Sequence, residues 1–167
     1  MKFAAAAASL VFLALASATP GEAVRGVLGV VPGAVVTQPF GCTSVALEPP
    51  DPSCPGGHFH SGIDLAAPTG TPVYAATAGR TLVVRSVGGY GLHVMIWGPE
   101  GALVIYGHLS EVDVAGGRWV AAGELIGRVG ATGNATGPHL HLEVRLAGAP
   151  VDPVAWLRGL VPSHVGR

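Results

Sequence analysis

The spacing of glycine and proline limits this chain more than any other feature. Its 167 residues hold 26 Gly and 14 Pro. Inside a helix, Gly costs about 1 kcal/mol and Pro about 3 kcal/mol relative to Ala. Few stretches of about a dozen residues escape both, so long helices are largely excluded. The Gly and Pro do not form tracts; they punctuate short apolar runs, as in a turn-rich β protein. Strands are predicted at Pro72–Ala76, Gly79–Val87, Leu92–Trp97, Ala102–His108, Leu125–Val129 and His139–Leu146. Separators such as Gly88-Gly89-Tyr90-Gly91 and Gly98-Pro99-Glu100-Gly101 are too short for βαβ crossovers, so the pairing is expected to be antiparallel. The expected class is all-β, a single antiparallel β-sheet domain. One helical turn within Val151–Leu160 is predicted to close it, with Asp152 as N-cap and Pro153 at the first position.

Charged residues make up 11% of the chain and the formal net charge is −1. That balance gives no electrostatic basis for binding nucleic acid, and 49% apolar content argues against a disordered chain. Part of the apolar excess lies at the N-terminus. Met1-Lys2 precedes the uncharged run Phe3–Ala18, which ends in the small residues Ala16-Ser17-Ala18. This reads as a secretory signal over 1–18, or 1–23 if cleavage follows Gly21-Glu22-Ala23. The run is short of the roughly twenty residues of a membrane span, so no stable membrane insertion is expected after cleavage. A lead-in and loop at 24–57, a motif-bearing domain at 58–160 and a tail at 161–167 follow. The only cysteines, Cys42 and Cys54, are expected to pair in an exported protein. Closing their Pro-rich loop is worth about 3 kcal/mol in the chain-entropy model.

Seven histidines are many for so uncharged a chain, and most fall at loop–strand junctions. His60-Ser-Gly-Ile-Asp64 sets an imidazole and a carboxylate four apart. That is helical spacing, but Gly62 and nearby prolines favour a turn running into an extended segment. His139 and His141 lie two apart in a strand and so share a face. His108 ends the run Leu103–Tyr106. Zn²⁺ takes His nitrogen and Asp oxygen, and a catalytic zinc site keeps three protein ligands plus an open position. Imidazoles beside such an ion are suited to proton transfer. The residues alone do not say which of His139 and His141 is a ligand.

The segments HSGIDLAAPTGTPVYAATAG (60–79), YGHLS (106–110) and GATGNATGPHLHLEVR (130–145) resemble those of the lysostaphin/LytM-type peptidoglycan endopeptidases. They occur in that family's order, and the likeness runs from QPFG at Gln38 to APVDPVAWL at Leu157. The resemblance implies a mainly antiparallel β domain with an open groove formed by loops. It implies one Zn²⁺ per chain held by His60, Asp64 and His141, with His108 and His139 as the catalytic imidazoles. It also implies a groove lined by Tyr106 and by the loop 132–138, Asn134 and Thr136 included. The substrate implied is an amide bond in the peptide part of bacterial cell-wall peptidoglycan. The Cys42–Cys54 loop lies outside the core motifs and is expected to wall the groove.

Other residues carry weaker expectations. Glu143 shares the face of His141 and reads first as a solvated or salt-bridged strand position, second as a group supporting the metal. His58 reads as a loop-surface residue, His93 as a sheet-face residue, and Glu111 and Asp113 as facing water. A secreted or cell-wall-associated, monomeric zinc endopeptidase is the leading expectation. The runner-up is an inactive wall-binding or regulatory module on the same fold, and a third is a peptidase acting on exported proteins.

Overall fold

Residues 29–159 are described in a computed structural model of the chain. The expected signal segment at 1–18 (or 1–23), the tail at 161–167 and His164 lie outside them. Among the described residues, no helix is long and apolar enough to cross a membrane.

The largest sheet joins β1 (Val35–Gln38), β4 (Ile63–Ala66), β12 (His139–Leu146), β8 (Ala102–Gly107), β7 (Leu92–Trp97), β6 (Gly79–Arg85) and β10 (Trp119–Val120) in that order. The strand β13 (Ala149–Val151) pairs with β12 off this path. A three-stranded sheet sets β11 (Leu125–Val129) between β5 (Pro72–Tyr74) and β9 (Leu109–Val112). A two-stranded ribbon pairs β2 (Gly41–Thr43) with β3 (His58–His60). All pairings are antiparallel, as short connections require. The short helix α1 (Pro153–Leu157) starts as predicted, with the Asp152 carboxylate accepting the Val154 N–H at 2.8 Å.

Alternation along the strands separates the core from the site. Leu140, Leu142 and Val144 of β12 are fully buried. They share a core with Leu65, Val104 and Tyr106 of the large sheet and with Val73, Ile126 and Val129 of the small one. The opposite face of β12 presents His139, His141 and Glu143. In register, Gln38 lies opposite Asp64, Asp64 opposite His141, and His141 opposite Gly107. Directly paired residues share a face, so one sheet row sets Gln38, Asp64 and His141 side by side.

The predicted strands hold with trimmed ends: the first stops at Tyr74, the second at Arg85 and the fourth at Gly107. Strands also form where Gly and Pro obscured them. The lead-in supplies the edge strand β1, and the stapled segment supplies β2, whose Cys42 pairs with Phe59. Cys42 and Cys54 are bonded, with their Cα atoms 5.2 Å apart.

Candidate metal centre

Asp64 and His141 are neighbours because β4 and β12 pair in that register; His60 reaches them from the end of β3. Gly62 makes this approach possible. A Cβ there would stand 2.5 Å from the Leu142 carbonyl oxygen and 2.7 Å from the His141 ring. The donor atoms converge closely: His60 Nε2 is 3.1 Å from His141 Nδ1 and 3.3 Å from Asp64 Oδ1, and His141 Nδ1 is 3.0 Å from Asp64 Oδ1. All three residues are buried.

The far side of each imidazole is tied down. His60 Nδ1–H donates to the Pro39 carbonyl at 2.9 Å, which leaves Nε2 with a lone pair aimed at the cluster. His141 Nε2–H donates to Glu143 Oε2 at 3.3 Å. Burial disfavours a charged His141, but bonds to Asp64 and Glu143 outweigh it and push its pKa up to about 9. Burial likewise opposes ionisation of Asp64, yet bonds from His141 and His60 hold its carboxyl well below the usual range. A cation replacing the His141 Nδ1 proton meets a carboxylate and two nitrogen lone pairs. Tetrahedral Zn²⁺ with ligands at 2.0–2.2 Å sets its donors roughly 3.3 Å apart, and the separations found here match that spacing. The residues fit the metal, and the outer bonds to Pro39 and Glu143 are of the kind that orient metal-binding histidines.

The other two motif imidazoles stand beside the cluster. His108 and His139 have ring centres 4.7 Å apart, and His108 lies 6.0 Å from His141. His108 Nδ1–H donates to the Thr132 carbonyl and His139 Nδ1–H to the Gly137 carbonyl, each at 2.8 Å. Both therefore keep Nε2 unprotonated when neutral, and His139 Nε2 is 3.7 Å from Asp64 Oδ2. Burial lowers the pKa of His108 to about 4 against the opposing pull of the Thr132 carbonyl. It is a neutral imidazole at pH 7.

Cluster and pair open into a groove of about 330 Å³, whose walls include Asn134 and Thr136 on one side and Val45, Leu47 and Glu48 of the Cys42–Cys54 loop. The loop forms a wall, as expected. Tyr106 does not line the groove, and that expectation is corrected. It lies opposite Leu142 in the register, hence on the core face, fully buried, with its hydroxyl accepting the Ala76 N–H at 2.8 Å. The groove's tyrosine is Tyr90, from a glycine-rich turn that the sequence marked only as a separator.

Glu143 is salt-bridged to Arg145, as one half of its expectation had it, but it is not solvated. It is fully buried, and its Oε2 accepts bonds from Ser61 Oγ at 2.7 Å and the Tyr90 hydroxyl at 2.5 Å as well as from His141. Burial raises its proton affinity, but these bonds and one from Arg145 pull the pKa down to about 2. Burial and the bond to Glu143 push Tyr90 up to about 12. His58 sits half-buried on β3 and not on a loop surface, donating from Nδ1 to the Glu48 carbonyl at 2.7 Å. His93 lies buried on β7 against the Tyr90 ring. Glu111 and Asp113 are exposed, as expected, and lie beside Arg128.

Comparison with known proteins agrees with this geometry. The model of peptidase family M23 matches residues 58–153. DD-carboxypeptidase/endopeptidase Mpg of Neisseria meningitidis serogroup B is 51% identical over 97 residues, 58% of this chain and 22% of that protein. Peptidoglycan DD-endopeptidase ShyA of Vibrio cholerae is 41% identical over 93 residues, 56% of this chain and 22% of that one. The chain thus spans about a fifth of the length of these curated relatives. The catalytic domain of the antimicrobial peptidase lysostaphin from Staphylococcus simulans superposes with a TM-score of 0.62 at 30% identity, over 75% of this chain and 92% of that one. Motifs, fold and donor geometry lead to one conclusion: the chain belongs to peptidase family M23.

Proposed function

We propose that this chain is a zinc-dependent endopeptidase that hydrolyses amide bonds in peptidoglycan peptides after export to the cell surface. The observation that carries the reading is the convergence of His60 Nε2, Asp64 Oδ1 and His141 Nδ1 within 3.0–3.3 Å of one another, beside two imidazoles whose Nε2 atoms bear no proton when neutral. Those three atoms would hold the ion, and a donor set of two imidazoles and one carboxylate suits zinc. Bound zinc supplies Lewis acidity, lowering the pKa of a water to about 7 and polarising the scissile carbonyl.

The chain's own groups do the rest. His108, neutral at pH 7, accepts a proton at Nε2 while its Nδ1–H stays on Thr132. His139, held in the same tautomer by Gly137, stands next to it to share proton transfer or, once protonated at Nε2, to stabilise a developing oxyanion. The groove walls at Tyr90, Asn134, Thr136 and the disulfide-closed loop position the peptide. Relatives named for DD-endopeptidase activity on peptidoglycan support this substrate class, and the N-terminal signal-like run supports export.

The test is digestion of purified peptidoglycan by the zinc-loaded protein, with mass spectrometry of the released fragments. The expected result is amide cleavage within the peptide portion, abolished by a chelator and restored by zinc. Protein carrying one zinc per chain that releases no fragment would replace this reading with that of a non-catalytic wall-binding module.

A further inference from the structure

Thr132 joins three segments that meet behind His108. Its hydroxyl donates to the Leu109 carbonyl at 2.8 Å and accepts the Leu92 backbone N–H at 2.9 Å. Its own carbonyl accepts the Nδ1–H of His108 at 2.8 Å. His108 needs such support, because it is a non-glycine residue at φ 62°, a strained conformation that lasts only where its surroundings fix it. Its backbone is held as well, the N–H donating to the Tyr90 carbonyl at 2.8 Å.

The backbone at Thr132-Gly133 has no slack. A Cβ on Gly91 would stand 2.4 Å from the Thr132 carbonyl carbon, and one on Gly133 would stand 2.4 Å from both the Gly89 oxygen and the Gly91 nitrogen. The 88–91 turn and the 130–137 loop thus meet backbone to backbone, and the Thr132 hydroxyl is the side-chain group that fastens this contact to Leu92 and Leu109. Ring orientation and tautomer of a working imidazole are set by the bond its other nitrogen makes. For His108 that bond ends on Thr132.

We propose that Thr132 is a positioning residue for the hydrolytic reaction: its hydroxyl fixes its carbonyl in place, and that carbonyl holds His108 in the tautomer and orientation that leave Nε2 free for proton transfer. Thr132 is neither one of the three converging donors nor among the residues lining the groove, unlike Asn134 and Thr136 of the same loop, and it acts through His108. The inference rests on the role given to His108 under Proposed function. A hydroxyl that merely stapled two strands would change stability and leave the His108 ring proton as it was.

Thr132→Val keeps the branched shape and removes the hydroxyl; Thr132→Ser keeps the hydroxyl. Measured below its lowered Tm, zinc-loaded Thr132→Val is expected to lose about 10-fold or more in kcat, with KM and zinc content unchanged. Thr132→Ser is expected to recover kcat to within about threefold. In full-length protein with ¹⁵N-labelled histidine, the His108 Nδ1–H is expected to be protected from solvent exchange in the unmodified and serine forms, and to exchange faster in the valine form. If Thr132→Val does not fold, Thr132→Ala leaves room for a water to bridge Leu92 and Leu109 and gives the same two readings. Equal kcat with and without the hydroxyl, equal ring-proton protection, or failure of serine to rescue overturns the inference. The ring-proton reading needs no substrate, so an unmodified protein that cleaves no peptidoglycan defeats the functional reading separately.

Discussion

His141 and Asp64 face each other in a sheet row, whereas His108 stands just past the end of a strand at φ 62°. The first pair is positioned by ladder hydrogen bonds whose opposite face is the hydrophobic core, with Leu140, Leu142 and Leu65 all fully buried. The second is positioned by two carbonyl oxygens, of Thr132 and Tyr90, both in glycine-rich loops. A register that the core depends on cannot slip by one residue without turning the whole strand over. The two carbonyls lie in loops outside that register, so a substitution there can re-aim His108 without turning a strand over. Under the proposed roles, the ligands Asp64 and His141 and the proton-transfer group His108 therefore sit in separable structures, although His139 shares β12 with His141, and substitution can tell them apart.

The largest effects should fall on this divide. His141→Ala removes one of three converging donors, so zinc binding and hydrolysis are both expected to disappear. His108→Ala leaves all three donors intact; zinc content is expected to stay at one per chain while kcat falls by about 10²–10⁴-fold, the usual worth of a proton-transfer group. Metal analysis of both purified variants, set against their rates on peptidoglycan, checks the pair of outcomes. Zinc loss in His108→Ala would place that imidazole among the ligands and erase the divide.

The same divide explains what could be read from the sequence. Strands with strong alternation, such as Leu92–Trp97 and His139–Leu146, were legible in full because alternation is a local signal. The placing of His139 and His141 on one face followed from it. Strand β1, the ribbon β2–β3 and strand β10 were not legible: they are two to four residues long and exist through pairing with segments distant in sequence. Tyr106 shows how one residue defeats the pattern. If the strand ran on through His108, Tyr106 and His108 would share a face. The chain leaves the strand at Gly107 and turns left-handed at His108, so the tyrosine stays in the core while the histidine swings to the groove. Glu143 is salt-bridged, one half of what was expected of it, but its full burial was not legible for a different reason. Parity put it beside His141, but its burial depends on Ser61 and Tyr90, which are 82 and 53 residues away.

Glu143 tests how far the donor half depends on more than register. Its carboxylate stays ionised in a buried site because four side chains donate to it, and it orients His141 through Nε2. Glu143→Gln keeps the shape and removes the charge. Zinc affinity, measured by competition with a chelator, is expected to weaken by about 10–100-fold, the range found for groups that orient metal-bound histidines. Unchanged affinity would mean that the sheet alone aims His141.

Tyr106→Phe should have the smallest effect, and it sharpens the boundary between core and groove. The phenol ring fills the core opposite Leu142 and only its hydroxyl is polar, pushed well above its ordinary pKa by burial. Removing that oxygen leaves the partly buried Ala76 N–H without its partner, which costs about 1 kcal/mol. Thermal unfolding is expected to shift down accordingly, while KM for peptidoglycan peptides and zinc content stay at their unmodified values. A raised KM with an unchanged Tm would reverse both halves of that expectation, because only a tyrosine whose hydroxyl meets the substrate could lose binding without losing stability.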